Sequence, residues 1–168
     1  LAGDEAGLQR AMTASGWVEA KPITVESSVQ IAADTVLHRP DDAAPVSNLF
    51  LFGRKQDFAF EQPIKGGPGK RHHVRFWRWD GHDEGGRPLW LGSATFDRSV
   101  GVSHRTLQIT HHIAADIDAD RDALFAGLAD AGQLVREYQV TGIGETLWGR
   151  NGGGDRYFTD GELWVGTI

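Results

Sequence analysis

The sequence predicts a single α+β domain: N-terminal helices, an antiparallel β-meander, one further helix and a C-terminal β-hairpin. Three observations predict it. Apolar residues recur at helical spacing as far as Leu37, and from Asn48 the spacing changes from a period near 3.6 to one of 2. The strand-like runs that follow are short and separated by breaks rich in Gly, Asp and Pro, as in strands joined by tight turns. From Asp118 to Ala131 the helical spacing returns before the chain closes on strand-like runs. A length of 168 residues with 40% hydrophobic content suffices for one domain with its own core. Residues 1–44 read as a helical lead-in and residues 45–168 as the core of that domain.

Taken in order, DEAGLQRAMTAS (residues 4–15) has acidic residues at its front and stops at Gly16, which predicts a short helix. Trp17 to Ala20 follows as a brief strand. In the next segment Val25, Val29, Ala32, Val36 and Leu37 share one helical stripe, and RPDDAAPVS (residues 39–47) is a connector. NLFLFGR and DFAFEQ are strands around Gly53–Gln56, and RHHVRFWRW, PLWLGSATFD and RTLQITHHI continue the meander. The helix from Asp118 turns Leu124, Phe125 and Leu128 inward, takes Asp118 as its N-cap and stops at Gly132. Finally, Asp160-Gly161 joins RYFT to ELWV by two residues. This predicts a type I′ turn, with Arg156–Thr159 pairing to Glu162–Val165 and Gly161 at positive φ.

Composition excludes several functions. The chain has no cysteine, so disulfides, thiolate metal sites and cysteine nucleophiles are ruled out. A net charge of −6 argues against a general nucleic-acid binder, and no nucleic-acid partner is expected. No apolar run approaches the length needed to cross a bilayer. The start, LAGDEAG, reads as a cut inside a longer protein. No GxSxG elbow occurs, and the acidic run DIDADRD lacks the glycine and glutamate of a calcium loop.

Four of the seven histidines sit in two doublets, His72-His73 and His111-His112. Neighbours on a strand point to opposite faces, so neither doublet can chelate one ion by itself. Alternation groups His72 with Val74 and Phe76, and His73 with Arg75, Trp77 and Trp79. It likewise groups His111 with the apolar Leu107, Ile109 and Ile113, and His112 with Gln108 and Thr110. His72 and His111 are therefore expected to be buried and held neutral by hydrogen bonds, and His73 and His112 to lie on the polar face near Arg75 and Asp97. One histidine from each doublet with Asp97 would make a two-histidine, one-carboxylate metal set, although the absence of HxH or HExxH spacing favours ordinary strand histidines. Lys65, Lys70, Arg71, Arg75 and Arg78 concentrate positive charge among Phe76, Trp77 and Trp79, which suits a small anionic ligand. GRNGGGD (residues 149–155) lacks the lysine and hydroxyl residue of a phosphate loop. Its three glycines fit either a loose loop or a close backbone approach beside Arg150, Asn151 and Asp155.

Taken together, SNLFLFGRKQDFAFEQP, RHHVRFW, LWLGSATFDRSVGVS, ITHHIAADIDADRD and GRNGGGDRYFTDGE resemble the bacterial LssY C-terminal domain family, from about Pro45 to Ile168 and more loosely before that. The resemblance implies a bacterial domain often placed behind integral membrane modules of phosphatidic-acid-phosphatase-like or DedA-like type. On that basis the domain is expected to sit peripheral to a membrane. No catalytic residues come with it.

Two functions are expected from these residues. The first is an accessory or regulatory domain of a membrane or cell-envelope system. It would bind an anionic small molecule or lipid headgroup with His73, Arg75, His112, Arg150 and Asn151, need no cofactor, and have a membrane-embedded domain of the same or another chain as a further partner. The second is a metal-assisted hydrolase in which His73, His112 and Asp97 hold zinc, iron or manganese and Asp116 or Asp155 is the base. A third and simpler reading is a structural docking domain.

Overall fold

The computed structural model describes residues 1–20, 48–64, 70–102, 109–144, 147–151 and 154–168, with the backbone alone at residues 63, 99–102 and 109–112. The expected second front helix over 24–37 and the connector at 39–47 lie outside the described residues.

Helix α1 spans Glu5–Ala14, and the Asp4 side chain caps it by accepting the Gly7 N–H at 2.6 Å. Leu8, Ala11 and Met12, three and four residues apart, form its buried stripe. Gly16, at φ +81°, ends it and turns the chain into β1 (Val18–Glu19). The strands β2 (Phe50–Leu51) and β3 (Arg54–Lys55) form a small hairpin of their own. The meander follows in β4 (Phe58–Pro63), β5 (Arg71–His82), β6 (Pro88–Val102) and β7 (Ile109–Ile113). These make an antiparallel sheet of order β1-β4-β5-β6-β7, so the strands carrying the two histidine doublets do share one sheet, with β6 between them.

Helix α2 spans Asp118–Asp130 and buries Leu124, Phe125 and Leu128 as expected, ending before Gly132 at φ +66°. Asp118 is not its N-cap. The cap position is Ile117, and Asp116 accepts the Ala119 N–H instead. The last strands are β8 (Arg136–Val140), β9 (Trp148–Arg150), β10 (Arg156–Phe158) and β11 (Leu163–Thr167). Leu1 to Gly3 bonds to β6 on one side and β11 on the other, which carries the sheet across to the β11–β8 pair.

One face of the sheet holds the apolar core. Phe60, Val74, Phe76 and Trp90 pack there against Leu8, Met12 and Trp17 from the α1 segment and Leu124 and Leu128 from α2. The alternation of DFAFEQ and HVRFW is what puts these sheet residues on one side.

The C-terminal hairpin exists, but its turn is not at Asp160-Gly161. β10 pairs with β9, while β11 pairs with β8. Gly161 does have positive φ, at +74°. The dipeptide is anchored elsewhere. Arg121 of α2 grips both Asp160 carboxylate oxygens at 2.9 Å, and Asp118 accepts the Asp160 N–H and the Thr159 hydroxyl. A local turn preference of this kind yields when tertiary bonds fix the same groups.

The Arg121 contact holds the Asp160 carboxyl at about 2, below its ordinary 3.8. Because the folded value is depressed, this stabilisation is complete above the ordinary value and is lost as pH falls through about 2. Asp160→Asn should therefore flatten part of the decline in the urea midpoint between about pH 4 and pH 2. The pair is open to water, so the effect should be modest and shrink in high salt. An identical acid profile in the variant would refute this coupling.

Candidate functional site

The face of β4–β5–β6 opposite the core carries charge. Cα partners across an antiparallel pair share a face, so Glu61↔His73, Arg71↔Asp97, and Arg75 opposite Ala59 and Ser93 bring five ionisable residues into one layer. All are buried: Glu61 is 0% exposed, Asp97 2%, His73 3%, Arg75 7% and Arg71 8%. β5 is the central strand, with both faces covered from Arg71 to Trp77 except for the half-covered His72. For that reason the expected division into a buried and a solvated histidine does not hold. The two rings do take opposite faces. His73, expected on an open polar face, is the more buried, and His72 keeps a side-chain exposure of 24%.

His73 stands between two carboxylates. Its Nδ1 lies 3.2 Å from Asp97 Oδ2, and its Nε2 lies 3.7 Å from Glu61 Oε2. The same Glu61 oxygen accepts a hydrogen bond from Arg71 Nη1 at 2.7 Å. Glu61 Oε1, buried as well, has no hydrogen-bond partner among the described residues. Burial lowers the Arg75 guanidinium below its usual range, and the nearby Asp97 charge opposes that only in part. Two carboxylates, two guanidiniums and an imidazole in a water-poor layer can bind a charged group or move a proton. Such a layer is an expensive way to hold a sheet together, since an apolar layer of similar volume often does as well or better.

His72 lies on the core side. Its Nδ1 donates to Asp120 Oδ1 at 2.6 Å, and the ring packs 4.9 Å from Phe96 and 6.4 Å from Trp17, centroid to centroid. This ties the sheet to the first turn of α2. Held by a hydrogen bond it is, as expected. His111 and His112 have register positions opposite Val100 and Ser99, and the expectations for their side chains lie outside the described residues.

The glycine-rich loop reaches the same end of the sheet by another route. Asp97 stands opposite Ile113 in β7, and the Ile113 N–H donates to Asp155 Oδ2 at 3.2 Å. Asn151 Oδ1 accepts the Asp155 N–H, and Arg150, exposed, donates to the Gly154 carbonyl at 2.7 Å. Arg150, the last residue of β9, and Asn151 after it thus belong to the hairpin, across β6 and β7 from His73 and Arg75. Asp116 and Asp155 both accept backbone N–H groups. Among the described residues, no three His, Asp or Glu side chains are grouped to hold a metal ion.

Two members of these constellations escaped the sequence reading, Glu61 and Asp120. Glu61 could have been found: in DFAFEQ it alternates with the phenylalanines, and a β4–β5 hairpin sets it opposite His73. Asp120 carried no such signal, because an acidic first turn is ordinary in a helix.

An antiparallel sheet with helices on its apolar face and a buried ionic layer on the other defines an α+β domain with an internal polar site. The chain belongs to the LssY C-terminus family, which matches residues 1–163 and so takes in the front segment as well as the meander. No curated protein and no solved structure matches it. No helix among the described residues is long and apolar enough to cross a membrane.

Proposed function

We propose that this domain binds an anionic, phosphate-bearing group at the layer of Arg71, His73 and Arg75, as an accessory or regulatory domain of a bacterial membrane or envelope system. One observation carries the reading: five ionisable side chains are buried together on β4–β5–β6, at a cost in desolvation that the fold does not require. Arg71 and Arg75 supply donors suited to phosphate oxygens, and Glu61 and Asp97 hold the imidazole between them. A protonated phosphate oxygen would also offer Glu61 Oε1 a donor. Of the residues expected in the same set, His112 and Asn151 would then approach from β7 and the loop beyond it, whereas Arg150 is exposed on the hairpin and bonded to the Gly154 carbonyl.

Titration calorimetry with inorganic phosphate and with glycerol 3-phosphate tests this. Binding should weaken by about ten-fold or more in Arg75→Gln, as expected for a lost charge-assisted hydrogen bond. A folded Arg75→Gln protein that binds as the parent does, or a parent that binds neither probe, would sink the proposal.

The His73–Asp97 contact also favours a second reading, the metal-assisted hydrolase with His73, His112 and Asp97 as ligands. Elemental analysis of untagged protein decides it. The reading needs about one zinc, iron or manganese per chain, lost in His112→Ala.

A further inference from the structure

The outer face of the β9–β10 hairpin combines two features that a free surface disfavours. Trp148 and Phe158 are Cα partners, 79% and 49% exposed. Two residues along, on the same face, Arg150 stands directly opposite Arg156, both exposed. Like charges facing each other across two strands destabilise the pair. Neither guanidinium meets a carboxylate among the described residues. The neighbouring acids are turned away: Asp155 is bonded to the Ile113 N–H, and Asp160 is held by Arg121. The inner face of the hairpin is different. There the Tyr157 ring covers Gly149 so closely that a Cβ on the glycine would lie 2.9 Å from the Tyr157 hydroxyl. Exposed Ile143 and Leu147 adjoin the hairpin in sequence and extend its apolar character.

We infer that this face is a contact surface for a membrane bearing anionic headgroups. Trp148 and Phe158 enter the interfacial region, and Arg150 and Arg156 take lipid phosphates beside them. The pairing of aromatic rings with unneutralised cations on one side of a hairpin is the complement of such a surface. A second copy of the chain fits it poorly, because a two-fold contact through this face would bring four guanidiniums together. A polynucleotide fits less well, since the exposed Ile143 and Leu147 before the hairpin are aliphatic and give bases nothing to stack on, whereas they suit a lipid interface. The inference does not depend on the buried layer.

Cosedimentation with phosphatidylcholine vesicles, with and without phosphatidylglycerol, tests it. The protein should partition onto the phosphatidylglycerol vesicles at low salt and release at high salt. Partitioning should fall about ten-fold or more in the Arg150→Gln/Arg156→Gln variant and be lost in Trp148→Ser. These are surface positions, so melting temperatures should stay at the parent value. Trp148→Ser should leave inorganic phosphate binding at the buried layer unchanged, which separates a failure here from a failure there. Unchanged partitioning of the variants overturns the inference. So does tighter binding of single-stranded oligouridine than of vesicles, or a dimer in light scattering that Trp148→Ser dissolves.

Discussion

Arg71→Ala should destabilise the domain by about 3–5 kcal/mol, as expected when one partner of a buried ion pair is removed. The change strips Glu61, which is 0% exposed, of its 2.7 Å hydrogen bond and leaves, among the described residues, the His73 nitrogen at 3.7 Å near that oxygen. Its other oxygen already has no partner among the described residues. A carboxylate in that position must either remain charged in a poor medium or take up a proton, and both weaken the fold. The double variant Glu61→Leu/Arg71→Met should recover most of the loss, since replacing both partners with apolar groups removes the stripped carboxylate itself. Chemical denaturation of the single and double variants measures this. A loss below about 1 kcal/mol in Arg71→Ala would mean that the pair behaves as a solvated one.

Phe76→Ala should cost a comparable amount, about 3–5 kcal/mol, on the opposite face of the same strand. Phe76 is 1% exposed and meets Phe60 edge to face at 6.1 Å between centroids. Its Cα partner is Gly92, where an added Cβ would lie 2.9 Å from the Phe76 ring. The ring lies over the space a side chain on β6 would occupy. Gly92→Ala alone should therefore destabilise by about 1–3 kcal/mol through overpacking. Combined with Phe76→Ala it should cost less than the sum, because the truncation opens the room that the new methyl needs. Strict additivity in the denaturation midpoints would show that the two positions do not share that space.

Much of the fold was legible because its signals are local. Asp4, the stripe Leu8, Ala11 and Met12, and Gly16 mark α1 within one short stretch, and each acts on its own neighbours. The meander was legible for a related reason. Alternation in FAF, HVRF and LWLGSATF fixes which side of each strand is apolar whatever its partner. By contrast β8, in REYQV, is exposed or half-exposed throughout and offers no alternation to read. The Asp160-Gly161 hairpin was misread because its composition matched a turn. The groups that would make the turn are instead taken by Asp118 and Arg121, some forty residues back in the chain.

The candidate site divides in the same way. Residue order is enough to put His72 and His73 on opposite sides, to put Arg75 on the side of His73, and to give the chain an apolar sheet face for helices to cover. These follow from strand geometry, which any register preserves. It takes the packed chain to set His73 between Glu61 and Asp97, to bring Asp120 onto His72, and to stand Arg150 out on the hairpin face with Arg156. Register, strand order and the depth of each layer set those distances. They depend on how all the strands and helices pack at once, and a one-residue slip in any pairing would have brought different side chains together.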